Sequence, residues 1–173
     1  IKKYCQRKKV IFLSSVFSLK GFNVLNDLGV LAWKVASGEY NSNYILREMY
    51  KTKKPILVST GLMNNREIYK MHRILNKNKI HHAFLHCVSN YPVKLTKVGL
   101  NNIENLKKKL KNFNVYSVFA YDNCTDNSEE LLQNYKNKSN NVIIRSIENK
   151  HEFRCVRISN ARNVVLDIIN NEL

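Results

Sequence analysis

The chain is short of the residues that punctuate or cross-link a fold: two Pro, five Gly and four Cys among 173 residues, with 13 Asp and Glu against 29 Lys and Arg. So little Gly and Pro excludes a collagen-like chain, and 44% hydrophobic residues exclude a disordered one. Cys5, Cys87, Cys124 and Cys155 lie far apart, with no Cys-x-x-Cys pair and no nearby His at zinc spacing. That spacing argues against a disulfide framework or a zinc site and predicts reduced thiols in a cytoplasmic protein. Long apolar runs are lacking too. The longest, Val10–Val16 and Val115–Tyr121, fall well short of the ~18–20 residues a membrane span needs. The opening Ile-Lys-Lys-Tyr-Cys has no initiator Met and does not read as a signal peptide.

At this length one domain is the default, whereas a whole (β/α)8 barrel takes roughly 250 residues, so a complete barrel does not fit. The scarcity of acid is uneven. Residues 1–111 carry 22 Lys and Arg against 5 Asp and Glu, and residues 112–173 carry 7 against 8, a step from +17 to −1. A basic balance suits anionic partners. Asn and Lys, 25 and 21 residues, are also what an A/T-rich coding sequence produces without selection for binding.

Four short β-prone runs, Val10–Ser15, Leu31–Ser37, Ile56–Thr60 and His82–Cys87, each end in small or polar residues. Helical apolar spacing follows each one, over Leu19–Leu28, Tyr44–Tyr50, Arg66–Leu75 and Ile103–Leu110. Strand, loop and helix repeated four times predict βα units on a parallel sheet. Ligands of such sheets bind where the strands end, here at Ser14-Ser15, Lys34 through Glu39, Ser59-Thr60-Gly61 and Ser89-Asn90-Tyr91-Pro92. One Lys among hydroxyls and a Gly suits a phosphate, although single hydroxyls at strand ends are ordinary turn residues. His86 reads as a hydrogen-bonded core histidine, and His81 and His82 as exposed.

After the polar link Asn112–Asn114 the texture changes. Val115–Tyr121 reads as a strand, Asp122–Asn127 as a turn, Ser128–Tyr135 as a helix capped by Ser128, Val142–Arg145 as a strand and Ile158–Ile169 as a helix. Residue 112 is therefore the expected domain boundary, and an open sheet of five or six mostly parallel strands is expected. A partial parallel sheet leaves an unpaired edge, which predicts aggregation or a homo-oligomer.

Three ordered motifs, Lys34-Val-Ala-Ser-Gly-Glu39, Lys54-Pro-Ile-Leu-Val-Ser-Thr-Gly61 and Leu85-His-Cys-Val-Ser-Asn-Tyr-Pro92, resemble the sialic acid (N-acetylneuraminate) synthase family over residues 1–111. The resemblance implies about four βα units of a TIM barrel. It also implies a transferase that condenses phosphoenolpyruvate with N-acetylmannosamine or a related amino sugar, releases phosphate and uses a divalent metal, Mn2+ or Mg2+. By the same resemblance Lys34 and Ser37 contact phosphoenolpyruvate, Ser59 and Ser89 donate hydroxyls to it, and Glu39 and Tyr91 face the acceptor sugar and the rim. Glu39 reads equally well as a cap of the helix that follows it.

The chain also departs from that family. The family's metal histidines come later, one in a Ser-Asp-His segment, and His151 is the only histidine after residue 111. The family's first barrel strands and its antifreeze-like domain have no counterpart. On these grounds the metal ligands are missing and the reaction is expected to be incomplete in this chain.

Residues 112–173, through Tyr121-Asp-Asn-Cys-Thr-Asp-Asn-Ser128 and Arg157-Ile-Ser-Asn-Ala-Arg-Asn163, resemble the nucleotide-sugar half of a GT-A glycosyltransferase on a Rossmann-like segment. That resemblance implies nucleotide binding by Asp122, Asp126, Arg162 and Asn163, with Asp122 near the base or ribose and Arg162 near the diphosphate. The same turn is also ordinary capping chemistry, and no Asp-x-Asp pair follows. The two pieces together suggest a fragment, a fusion junction or an assembly artefact. A third reading, nucleic-acid binding through Lys2–Lys9, Lys51–Lys54 and Lys107–Lys111, is disfavoured because the aromatics lie in strands rather than among the lysines.

Overall fold

The computed structural model describes residues 1–90, 92–99, 101–110, 115–122, 126–139 and 141–147, together with 157, 160, 161, 163–165, 167 and 168. The chain divides into two compact units, Ile1–Leu110 and Lys111–Leu173, beside the charge step near residue 112. Among the described residues no helix is long and apolar enough to cross a membrane.

The first unit contains α1 (Lys2–Arg7), α2 (Leu19–Asp27), β1 (Trp33–Val35), α3 (Asn43–Thr52), β2 (Ile56–Ser59), α4 (Asn65–Lys77), β3 (His82–Leu85), a 3-10 turn (Leu95–Lys97) and α5 (Asn101–Lys109). The strands form one parallel sheet in the order β1-β2-β3. β2 lies in the middle and all four of its residues are buried. The helices α3 and α4 present buried apolar residues at helical spacing: Ile45, Leu46 and Met49 on α3, and Ile68, Met71 and Leu75 on α4. Gly29 ends α2 at φ 69°, a left-handed turn that glycine adopts without steric cost.

Strand alternation separates two faces of this sheet. Trp33 and Val35 on β1, with Ile56 and Val58 on β2, join the core built with α2, α3 and α4. Lys34 pairs in register with Leu57, so Lys34, Leu57 and Ser59 share the opposite face. Leu57 is buried there without belonging to the helix-packed cluster.

The second unit contains β4 (Ser117–Tyr121), α6 (Ser128–Lys138) and β5 (Val142–Ser146). β4 and β5 pair in parallel, Ser117 opposite Val142 through Tyr121 opposite Ser146, as a β-helix-β connection requires. Within the expected helix at 158–169, residues 160, 161, 163–165, 167 and 168 are helical, and the others lie outside the described residues.

Several expectations need correction. Val10–Ser15 is not a strand; it makes one parallel bridge, Ser15 to Lys34, because no other backbone pairing runs along it. Leu31–Ser37 shortens to β1 because the Glu39 amide turns back to Ala36 O at 2.9 Å. The described strands form a three-stranded and a two-stranded sheet instead of one sheet of five or six. The helix Lys2–Arg7 was not anticipated; it buries no residue, so no apolar periodicity announces it.

Candidate anion site at the strand ends of the first unit

Lys34 and Ser59 meet on the sheet face away from the helices. Lys34 Nζ donates to Ser59 Oγ at 2.7 Å. Register explains the contact: Lys34 stands opposite Leu57, and Ser59 is the next β2 residue on that face toward the strand end. Ser59 is buried, so its hydroxyl requires a partner and finds one in the ammonium.

The loops after the three strands converge beside this pair. Ser37, two residues past β1, accepts at Oγ from the Gly61 amide at 3.2 Å. A β-carbon built on Gly61 would overlap Ser89 Oγ, lie 2.9 Å from Ser37 Oγ and lie 3.3 Å from Cys87 Cβ. The hydroxyls of Ser37 and Ser89 therefore flank the same small space. Thr60 fixes the β2 end to β3, its amide and hydroxyl both donating to Leu85 O at 3.0 and 3.1 Å.

The polarity of these bonds has a chemical consequence. Ser59 accepts from Lys34 and Ser37 accepts from Gly61, so each oxygen is engaged as an acceptor while its own proton remains to be donated. An ammonium beside hydroxyls poised to donate suits a phosphate or carboxylate. The same donor set does not fit a divalent cation. Among the described residues no group of three or more His, Cys, Asp or Glu side chains is placed to hold a metal ion.

Glu39 sits in the turn between β1 and α3, where its carboxylate accepts from the hydroxyl of Ser42, the residue before α3, at 2.6 Å. Tyr40 donates to Glu67 Oε1 at 2.8 Å, linking that turn to the start of α4. Glu67 also completes a capping box with Asn64. The Asn64 backbone bond, then the Tyr40 hydroxyl, hold the Glu67 carboxyl below its ordinary value, and the same Tyr40–Glu67 bond raises the phenol. Asn64-x-x-Glu67 was a legible capping signal, whereas nothing local points to Tyr40.

Tyr91 and Arg162 lie outside the described residues. In the second unit, Asp122 accepts from Arg157 Nε at 2.5 Å. Asp126 accepts from the Ser128 amide at 3.0 Å, and hydrogen bonds from the Ser128 side chain and backbone lower its carboxyl. Asn163 is helical.

The histidines divide. His86 Nε2 lies 2.8 Å from Val98 O, so this histidine is hydrogen-bonded as expected, but it is half-buried just past β3 rather than a core residue. His82, expected to be exposed, is instead partly buried at the start of β3, with Nε2 2.8 Å from His72 Nδ1 on α4. Sequence reading missed this pair because its members are ten residues apart on different elements.

Residues 1–122 match the model of the NeuB family. The chain belongs to the NeuB family. Among curated NeuB relatives, the N,N'-diacetyllegionaminic acid synthase of Campylobacter jejuni is 32% identical over 111 residues, which is 62% of this chain and 33% of that protein. The pseudaminic acid synthase of the same species is 34% identical over 111 residues, 64% of this chain and 32% of that protein. The chain thus spans about a third of the length of the curated relatives it matches. The crystal structure of a sialic acid synthetase from Leptospira borgpetersenii shares the fold, with a TM-score of 0.63 at 22% identity over 95% of this chain and 58% of that one.

Proposed function

We propose that residues 1–111 supply the phosphoenolpyruvate-binding part of a synthase that condenses phosphoenolpyruvate with N-acetylmannosamine or a related amino sugar and releases phosphate. The observation that carries this reading is the Lys34–Ser59 pair beside the Ser37 and Ser89 hydroxyls, in a NeuB-family chain. In this reading β1, β2 and β3 are consecutive strands of a (β/α)8 barrel, and the face bearing Lys34, Leu57 and Ser59 lines its interior. Barrel chemistry sits where strands end, as these groups do.

Each residue then has a physical task. The Lys34 ammonium offsets the substrate's negative charge, and its bond to Ser59 orients that hydroxyl toward the anion. Ser37 and Ser89 donate from the neighbouring loops. Glu39 and Tyr91 face the acceptor sugar, where a carboxylate is suited to accepting from sugar hydroxyls. Family chemistry includes a divalent metal; the described residues do not fit one, and no step here passes through it.

The family match extends through β4 to residue 122, past the expected boundary at residue 112, which weighs against a change of enzyme class at that boundary. Asp122 and Asp126 are engaged by Arg157 and Ser128, which favours pairing and capping roles over nucleotide binding. The test is titration of the full chain with phosphoenolpyruvate by calorimetry. Binding that Lys34→Ala abolishes is the expected result, and binding unchanged by that substitution overturns the reading.

A further inference from the structure

The outer face of α4 carries charge of one sign only. Its apolar side, Ile68, Met71 and Leu75, is buried, and its single acid, Glu67, is turned to the Tyr40 hydroxyl and the Asn64 amide. The exposed residues Arg66, Lys70, Arg73 and Lys77 fall at i, i+4, i+7 and i+11, one row along the helix. Successive cations in that row are about 6, 4.5 and 6 Å apart along the axis. Tyr69, 40% exposed, stands on the same face, three residues after Arg66 and four before Arg73.

Such a row works against its own helix. Like charges at i,i+3 and i,i+4 repel, and Arg66 in the first turn meets the positive end of the helix dipole. A solvated helix face ordinarily mixes both signs, as on α3, where Lys51 Nζ pairs with Glu48 at 2.7 Å. Among the described residues none of the four α4 cations is in an ion pair. An A/T-rich coding sequence explains how many lysines the chain has, but not why this face lacks acid. What the row lacks is an anion with several charges in line.

We propose that the outer face of α4 docks a single-stranded nucleic acid, with backbone phosphates pairing with Arg66, Lys70, Arg73 and Lys77 and a base stacking on Tyr69. A phosphodiester backbone supplies repeated negative charge, and an exposed aromatic among cations supplies a stacking platform. The lysine runs legible in the sequence lack that combination. In Lys2–Lys9 the one aromatic, Tyr4, is already engaged by Arg7 and Lys8, 5.7 and 5.9 Å from its ring centroid. The proposal uses no residue of the strand-end site and is independent of the phosphoenolpyruvate reading.

The test follows the fluorescence anisotropy of a labelled oligothymidylate of about 20 nucleotides bound by the full chain across a salt series. Arg66→Gln/Lys70→Gln/Arg73→Gln is compared with Lys3→Gln/Lys8→Gln/Lys9→Gln, which removes the same charge from the run at the start of the chain. Losing three phosphate contacts, each worth about 0.7 in the slope of log K against log salt, is expected to lower that slope by about 2. It is also expected to weaken binding about tenfold or more near 0.1 M salt, while the control keeps the wild-type slope. Equal losses in the two triple variants, or no binding by wild type, overturn the proposal.

Thermal unfolding checks that each variant folds. If the α4 triple variant does not, Lys70→Gln and Arg73→Gln carry the test singly, each expected to lower the slope by about 0.7, and wild-type slopes in both overturn the proposal. Tyr69→Ala is expected to weaken single-strand binding about fivefold or more and to leave binding of a duplex of the same length unchanged. No effect on the single strand, or a duplex bound as tightly as the single strand, overturns the assignment to single strands.

Discussion

His72 on α4 and His82 on β3 share one hydrogen bond, Nδ1 to Nε2 at 2.8 Å, and the backbone fixes its direction. His82 Nδ1 faces the Ile80 carbonyl at 2.8 Å, which only accepts, so Nδ1 carries the proton and neutral Nε2 is the acceptor. His72 Nδ1 is then the donor. A proton added to His82 Nε2 would leave two donors face to face.

Desolvation lowers both imidazoles below their ordinary value, and the mutual proximity of the rings adds to the effect at His72. The unfolded chain therefore takes up protons first as pH falls. Stability is fully present above the unfolded value of about 6.5 and declines below it, until the folded rings protonate as well. Urea unfolding between pH 7.5 and 5 is expected to show this acid limb, and His82→Phe to flatten it. An acid limb unchanged in that variant would assign it to other groups.

Lys34 is a compact cation reaching along a sheet face to Ser59. A planar, longer guanidinium does not reproduce that geometry. Lys34→Arg is expected to bind phosphoenolpyruvate about tenfold more weakly than wild type despite its retained charge. Calorimetric titration checks this, and wild-type affinity would mean that charge alone suffices.

Asn64 accepts from the amides of Arg66 and Glu67 at 2.9 and 3.1 Å, while Glu67 Oε2 accepts from the Asn64 amide at 2.7 Å. Asn64→Ala removes one half of this capping box and is expected to cost about 1 kcal/mol of stability. The shift in denaturant midpoint at constant slope measures it.

Trp33, the single tryptophan, is fully buried, stacks on Phe22 at 4.7 Å between ring centroids and donates its indole N–H to Thr52 Oγ1 at 2.8 Å. Thr52→Val keeps the side-chain shape and strands that N–H, an expected cost of about 1–3 kcal/mol. Trp33 emission reports the transition directly, and a midpoint equal to wild type would show that the indole finds another acceptor.

Helices and strands are legible in the amino-acid pattern where burial repeats at a local spacing. Ile45, Leu46 and Met49 repeat at helical spacing, and Ile56–Ser59 is a short apolar run, because burial writes a local period into the chain. The pattern also placed Lys34 and Ser59 on strands, and Ser37 and Ser89 in the loops just after them, since a βα unit turns at polar residues. Pairing and convergence were decided only in the tertiary structure. Val10–Ser15 has strand composition and a single bridge, because a strand exists only where another backbone satisfies its N–H and C=O groups. Ser37 and Ser89 flank Gly61, and His72 meets His82, through sheet register and helix packing between residues distant in the chain. Local periodicity carries the direction of each side chain, and register alone brings two such side chains to the same point.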